Sequence, residues 1–255
     1  MEWNDLIRLS TVNLIIGYKG RGKSGLAYYL METIAPKYNL LPLVVNFPRE
    51  KQSLLPANYV VKDLEDALST EKAMILVDEG TTQLPAGGKL EDFIKGASSL
   101  SRQRDQIIVF VFHTSRDVGS RILRGLDTVM IKEPSRRQIE QGAKDKWFRA
   151  LLEKAKQELQ AQPGKRYKWT YVESEEPDFQ GVLSNPLPSF WSEDLSKAWG
   201  VVSSQTESGE LVQAAKLKEK PFCFRCDSCG RFAFMNEGHC EFCGAAWHPG
   251  LTKFY

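Results

Sequence analysis

Eight consecutive residues, Gly17-Tyr18-Lys19-Gly20-Arg21-Gly22-Lys23-Ser24, fit the pattern G-x-x-x-x-G-K-S without a mismatch. That pattern is the chemistry of a phosphate-binding loop. Glycine allows backbone angles that other residues avoid, so successive N–H groups can turn inward onto phosphate oxygens. Gly17, Gly20 and Gly22 supply this freedom. A helix beginning near Lys23, with Gly25 in its first turn, adds the positive end of its dipole. Lys23 is then placed to reach the β and γ phosphates of a nucleoside triphosphate, and Ser24 to ligate Mg²⁺. The bland alternative is a glycine-rich turn with a chance lysine. The apolar run before the loop and the helical pattern after it argue against that.

A second group of candidates ends the run Ala73-Met74-Ile75-Leu76-Val77, which passes directly into Asp78-Glu79. Carboxylates at the carboxyl end of a buried strand stand where ligands bind in parallel α/β sheets. Asp78 fits the Walker B role of holding Mg²⁺, and Glu79 can polarise the water that attacks the γ-phosphate. A carboxylate next to that aspartate marks hydrolases whose sheet has an additional central strand. Two acids opening a surface loop would look the same in isolation. Their pairing with the phosphate loop favours the site.

The third group lies at the far end of the chain. Cys226-Asp227-Ser228-Cys229 and Cys240-Glu241-Phe242-Cys243, followed by Gly230 and Gly244, form C-x₂-C-x₁₀-C-x₂-C. Two such turns can present four thiolates in the tetrahedral arrangement of a structural Zn²⁺ site. A unit this small cannot build a sufficient core alone, so metal binding would supply its folding energy. Cys223 makes a further C-x-x-C with Cys226 and is read as a spare; His239 and His248 are substitute ligands, and rubredoxin-like iron is the alternative metal. Phe222, Phe224, Phe232, Phe234, Phe242 and Trp247 are read as the unit's small core, with base stacking as the alternative.

These groups need a framework. Val12–Ile16, Leu43–Phe47, Tyr59–Val61, Ala73–Val77, Ile107–Phe112 and Thr128–Lys132 read as strands. Helices are expected over Lys23–Ala35 (stopped by Pro36), from an Asp63 N-cap to Ser69, over Leu90–Arg102, and for a turn or two over Val118–Arg124. That alternation predicts a parallel α/β sheet over residues 8–134. Beyond it, Arg136–Leu159 reads as one charged helix, Arg166–Val172 as an extra strand, and Asn185–Trp199 as a segment that packs back on the core. The expected organisation is a nucleotide-binding domain over 1–200, a linker over 201–220 and a metal-stapled unit over 221–255.

The chain has 255 residues, 26% of them charged, with a formal net charge of +2. This excludes collagen-like, mucin-like and wholly disordered classes. The near-neutral sum conceals local charge. Arg102–Arg149 holds eleven Lys/Arg against six acids, whereas Glu173–Asp194 holds six acids and no Lys or Arg. All five cysteines lie between Cys223 and Cys243, so no disulfide can staple the rest of the fold. The N-terminus lacks a signal-peptide pattern and no run approaches the roughly 20 apolar residues of a membrane helix, so a cytoplasmic protein without a membrane anchor is expected.

Four blocks, GYKGRGKS, AMILVDEG, SLSRQRDQ and IIVFVFHTSRD, resemble those of the FtsK–HerA branch of RecA-like motor ATPases, which includes viral genome-packaging and zonula occludens toxin-like assembly ATPases. The resemblance covers about residues 10–135. It implies an additional-strand P-loop NTPase with a catalytic glutamate, a homo-oligomer of hexameric type, and DNA as the substrate being moved. It also implies a polar γ-phosphate sensor after the strand that follows Walker B. Thr114-Ser115-Arg116 stands in that place, with serine where the family has glutamine, so Thr114, Ser115 and His113 are all candidates. An arginine from a neighbouring subunit completes the family's site; Arg102, Arg104, Arg121 and Arg124 are candidates, with Arg104 and Arg124 preferred. The C-terminal unit resembles a zinc ribbon.

The reading is therefore an ATP-driven motor on DNA using ATP, Mg²⁺ and Zn²⁺, of viral packaging or plasmid transfer type, in the host cytoplasm if viral. A portal, capsid or relaxase component is the implied partner. The alternatives are a zonula occludens toxin-like assembly ATPase, and a regulatory P-loop ATPase whose ribbon binds protein. A nucleotide kinase is disfavoured by Glu79.

Overall fold

The computed structural model describes residues 1–78, 88–113, 123, 125–142, 145–198, 223–225, 232–236 and 239–240; for 88–95, 141–142 and everything from 223 onward it describes the backbone alone. The chain divides into two compact units, Met1–Val201 and Val202–Tyr255.

The first unit is built on one eight-stranded sheet. Its strands are β1 (Thr11–Ile16), β2 (Leu41–Val45), β3 (Val60–Lys62), β4 (Ala73–Val77), β5 (Ile107–Phe112), β6 (Thr128–Ile131), β7 (Trp169–Ser174) and β8 (Phe179–Ser184), in the spatial order β3-β2-β4-β5-β1-β6-β7-β8. The six strands from β3 to β6 run parallel. β7 and β8 continue the sheet antiparallel on the β6 edge. β5 thus separates β1, which leads into the phosphate loop, from β4, which ends at Asp78.

Helices cover both faces, so the central strands are buried on both sides and read as largely apolar runs. Alternate residues sort to the two faces. Val12, Leu14 and Ile16 join Ile75, Val77, Phe110 and Phe112 in a core completed by α3 (Leu64–Ser69), α4 (Gly88–Gln103) and α5 (Lys146–Gln160). Ile15, Met74, Leu76, Val109 and Val111 join the opposite core, under α1 (Trp3–Leu6) and α2 (Lys23–Lys37).

Several boundaries differ from the sequence expectation, each for a local reason. Helix α2 does not stop before Pro36. It runs to Lys37, and its end is set by Asn39 at φ 52°, whose N–H donates to Pro36 O (3.2 Å) while Leu40 N–H donates to Ala35 O (2.8 Å). This pair of bonds is a Schellman stop with asparagine in the left-handed position. The charged segment after 136 is not one helix. A π-turn over Gln138–Gly142 precedes α5, which starts afresh where the Asp145 carboxylate accepts from Phe148 N–H (2.9 Å). The extra strand begins at Trp169, because Arg166–Lys168 is a turn of 3₁₀ helix. The expected helix over Val118–Arg124 lies, apart from Leu123, outside the described residues.

The segment after β8 packs back as expected. Phe190 stands edge-on to Tyr28 and Tyr59 at centroid separations of 5.9 and 5.4 Å, and Leu195 and Ala198 are buried. The acidic stretch is divided: Glu175, Glu176 and Asp178 lie between β7 and β8, and Glu193 and Asp194 open a short α6 (Glu193–Ser196) capped by Ser192. Acids suit that first turn because the helix dipole is positive there.

In the second unit, β9 (Cys223–Arg225), β10 (Phe232–Asn236) and β11 (His239–Cys240) form an antiparallel sheet in the order β11-β10-β9. Cys223 pairs with Phe234 and Cys240 with Met235. Cys226, Cys229 and Cys243 lie outside the described residues.

Candidate functional site

The phosphate loop joins the carboxyl end of β1 to the first turn of α2. Its two ends need glycine for different reasons. At Gly17 a Cβ would stand 2.6 Å from both Cβ and the carbonyl oxygen of Lys132, so only glycine lets β1 leave the sheet beside the end of β6. Gly22 is the N-cap of α2 at φ 79°, a left-handed conformation that glycine adopts without strain, and Tyr167 Cβ would be 3.0 Å from any side chain there. No side chain caps α2, and its first-turn N–H groups point out of the helix end. They and the helix dipole make an anion site.

The loop is braced from the β6 side. Tyr18 N–H donates to Glu133 O (3.3 Å), and Arg21 Nε pairs with Glu133 Oε2 at 3.4 Å. Lys23 is buried, 4% exposed, and its Nζ donates to Tyr18 O (3.1 Å), so the ammonium is curled over the loop it serves. Ser24 follows at the mouth, half-buried.

Asp78 comes immediately after β4 and is fully buried. A carboxylate there is costly unless a cation or hydrogen bonds compensate it. Its field reaches α2. Burial pushes the Tyr28 hydroxyl well above its ordinary range, and the negative charge of Asp78 adds to the shift. His113 follows β5, the strand between loop and aspartate, and its carbonyl accepts from Gln138 Nε2 (2.8 Å). The carboxyl ends of β1, β4 and β5 therefore bring Gly17–Gly25, Asp78 and His113 to one edge of the sheet. Ser24 and Asp78 are a hard-oxygen donor pair of the kind Mg²⁺ takes, and a buried carboxylate beside a phosphate loop fits that ion.

One expected site residue is elsewhere. Arg104 precedes β5, so within its own subunit it stands about one strand length, some 17 Å, from the phosphate edge. Its guanidinium donates to Leu68 O, tying α4 to the end of α3. Glu79, Thr114, Ser115 and Arg124 lie outside the described residues.

One buried cation was not legible in the sequence. Lys132, just past β6, is fully buried, and its Nζ donates to Tyr167 O (2.8 Å), Trp169 O (3.0 Å) and Asn185 Oδ1 (2.7 Å). Burial, with a smaller contribution from the Lys23 charge, lowers its pKa to about 7. Lys132 thus fastens both ends of the β7–β8 hairpin to the strand against which Gly17 packs.

The unit has the fold of a solved viral NTPase. The genome-packaging NTPase B204 of Sulfolobus turreted icosahedral virus 2, in complex with sulfate, superposes with a TM-score of 0.51 over 70% of this chain and 97% of that one, at 9% identity. The DNA-packaging ATPase B204 of Sulfolobus turreted icosahedral virus gives a TM-score of 0.49 over 70% and 98%, at 14% identity. At such identities the likeness is one of fold. No protein-family model matches the chain, nor does any curated protein.

Proposed function

We propose that the chain is an ATP-hydrolysing motor that moves DNA, of the genome-packaging kind. The observation that carries this reading is the strand order, which sets the phosphate loop and the buried Asp78 on strands separated by β5. The fold shared with B204 supports it. Lys23 and the α2 N-terminus bind the triphosphate. Ser24 and Asp78 would hold Mg²⁺, which neutralises charge on the β and γ oxygens. Glu79 orients and deprotonates the attacking water, and Thr114 or Ser115 senses the γ-phosphate. The subunits assemble as a ring, of hexameric type, in which Arg124 reaches a neighbour's site; Arg104 is the second candidate for that role. A portal or capsid component is the implied partner.

The second unit is a zinc ribbon held by Cys226, Cys229, Cys240 and Cys243, a soft thiolate set that selects Zn²⁺. The β9–β10 pairing ends at Arg225 and Phe232, so the first C-x-x-C follows β9 directly. Purified protein is expected to contain one equivalent of zinc that Cys226→Ser removes; protein free of zinc would contradict the ribbon.

Double-stranded DNA is expected to raise steady-state ATP hydrolysis severalfold, steeply weakened by added salt because phosphate contacts release counterions. A hydrolysis rate indifferent to DNA would favour a regulatory P-loop ATPase and reject the motor.

A further inference from the structure

The phosphate loop holds phosphates, but nothing in its backbone holds a base. We propose that Tyr167 and Leu187, contributed by the segments on either side of the β7–β8 hairpin, form the wall on which the nucleoside of the bound triphosphate rests. This rests on the ATPase reading above and adds to it the part of the substrate that the loop does not recognise.

The sheet sets the direction. β4, with Asp78 at its end, lies on one side of β1, and β6 and β7 lie on the other. A triphosphate whose metal-bearing end faces Asp78 must send its nucleoside towards β6 and β7. There the structure places apolar surface in contact with the loop. A Cβ on Gly25, in the first turn of α2, would stand 2.8 Å from Leu187 Cδ2, and one on Gly22 would stand 3.0 Å from Tyr167 Cβ.

Leu187 is 39% exposed, one of five large hydrophobic side chains exposed among the described residues. Tyr18, in the loop itself, is another, at 49%. Two of the five therefore flank the phosphate site, where exposed apolar surface has a ready occupant in a planar base. Lys165 Nζ lies 5.8 Å from the Tyr167 ring centroid and helps hold that ring. The wall is also anchored. The Lys132 ammonium binds Tyr167 O and Asn185 Oδ1, fixing the segment before β7 and the segment after β8 to the same point beside Gly17.

The experiment is calorimetric titration of the full chain with MgATP and, separately, with inorganic tripolyphosphate, comparing wild type with Leu187→Ala, Tyr167→Ala and Leu187→Met. The alanine variants are expected to bind ATP about tenfold more weakly, from lost apolar burial, while tripolyphosphate affinity is unchanged and Leu187→Met restores ATP binding. Equal weakening of both ligands, or of neither, would overturn the wall. Wild-type protein that binds neither ligand would reject the nucleotide reading itself.

Discussion

Glu79→Gln is expected to bind ATP as tightly as the wild type and to release phosphate at least about a hundredfold more slowly, since a positioned general base contributes typically 10²–10⁴-fold. The substitution keeps the shape and a hydrogen-bonding oxygen but removes the basicity that would activate water. Its neighbour separates the two carboxylate roles. Asp78 is fully buried at the end of β4, so Asp78→Asn removes the charge that would hold Mg²⁺ and is expected to weaken MgATP binding as well as turnover. Equilibrium binding and phosphate release, measured on both variants, distinguish a water-activating group from a metal-holding one. Turnover retained in Glu79→Gln would clear Glu79 of the role.

The second large effect concerns stability. The oxygens around Lys132 Nζ are all neutral, two backbone carbonyls and the Asn185 amide. Burial lowers its pKa from an ordinary 10.5 to about 7. The folded chain then holds this proton less tightly than the unfolded chain does. Between pH 7 and 10.5 the unfolded state binds more protons, so stability rises with pH across that window, and below pH 7 both states are protonated and the slope vanishes. One proton is worth about 1.4 kcal/mol per pH unit, so the gain from pH 7 to 9 approaches about 2–3 kcal/mol. Lys132→Met abolishes that gain and removes the bonds from Nζ to Tyr167 O, Trp169 O and Asn185 Oδ1, leaving Asn185 Oδ1 with only the Thr170 hydroxyl and Tyr167 O with only the long bond from Asn185 Nδ2. In urea denaturation the variant is expected to be the less stable protein at pH 9, with the gap narrowing towards pH 7. A gap that is constant, or that widens as pH falls, would contradict the assignment.

The parts of this fold that show in the sequence are those fixed by local chemistry. AMILV and IIVFVF are apolar without interruption, and VNLII is broken only by the buried Asn13, because β1, β4 and β5 are buried on both faces. The phosphate loop is legible because glycine, lysine and serine are each required at a fixed place. What does not show depends on distant partners. Lys132 reads as an ordinary polar residue after a strand; its burial comes from acceptors 35, 37 and 53 residues further on. β8 (FQGVLS) carries a glycine and a half-exposed pattern, because it is the edge strand and faces solvent. Helix α1 has only four residues and is held by a bond from Trp3 Nε1 to Ser184 O (2.9 Å), a contact no local pattern announces. The wall beside the loop is hidden for the same reason: Tyr167 and Leu187 follow the P-loop by more than a hundred residues and meet it only because β7 and β8 extend the sheet past β6.

On the proposed function, this loop and these carboxylates hydrolyse a nucleoside triphosphate. The most direct measurement is phosphate release from γ-labelled ATP by the purified full chain with Mg²⁺ and double-stranded DNA, run beside Lys23→Ala. Multiple turnovers by the wild type, reduced to background by Lys23→Ala, are the expected result. Wild-type protein that releases no phosphate, or Lys23→Ala protein that releases it at the wild-type rate, would contradict the account.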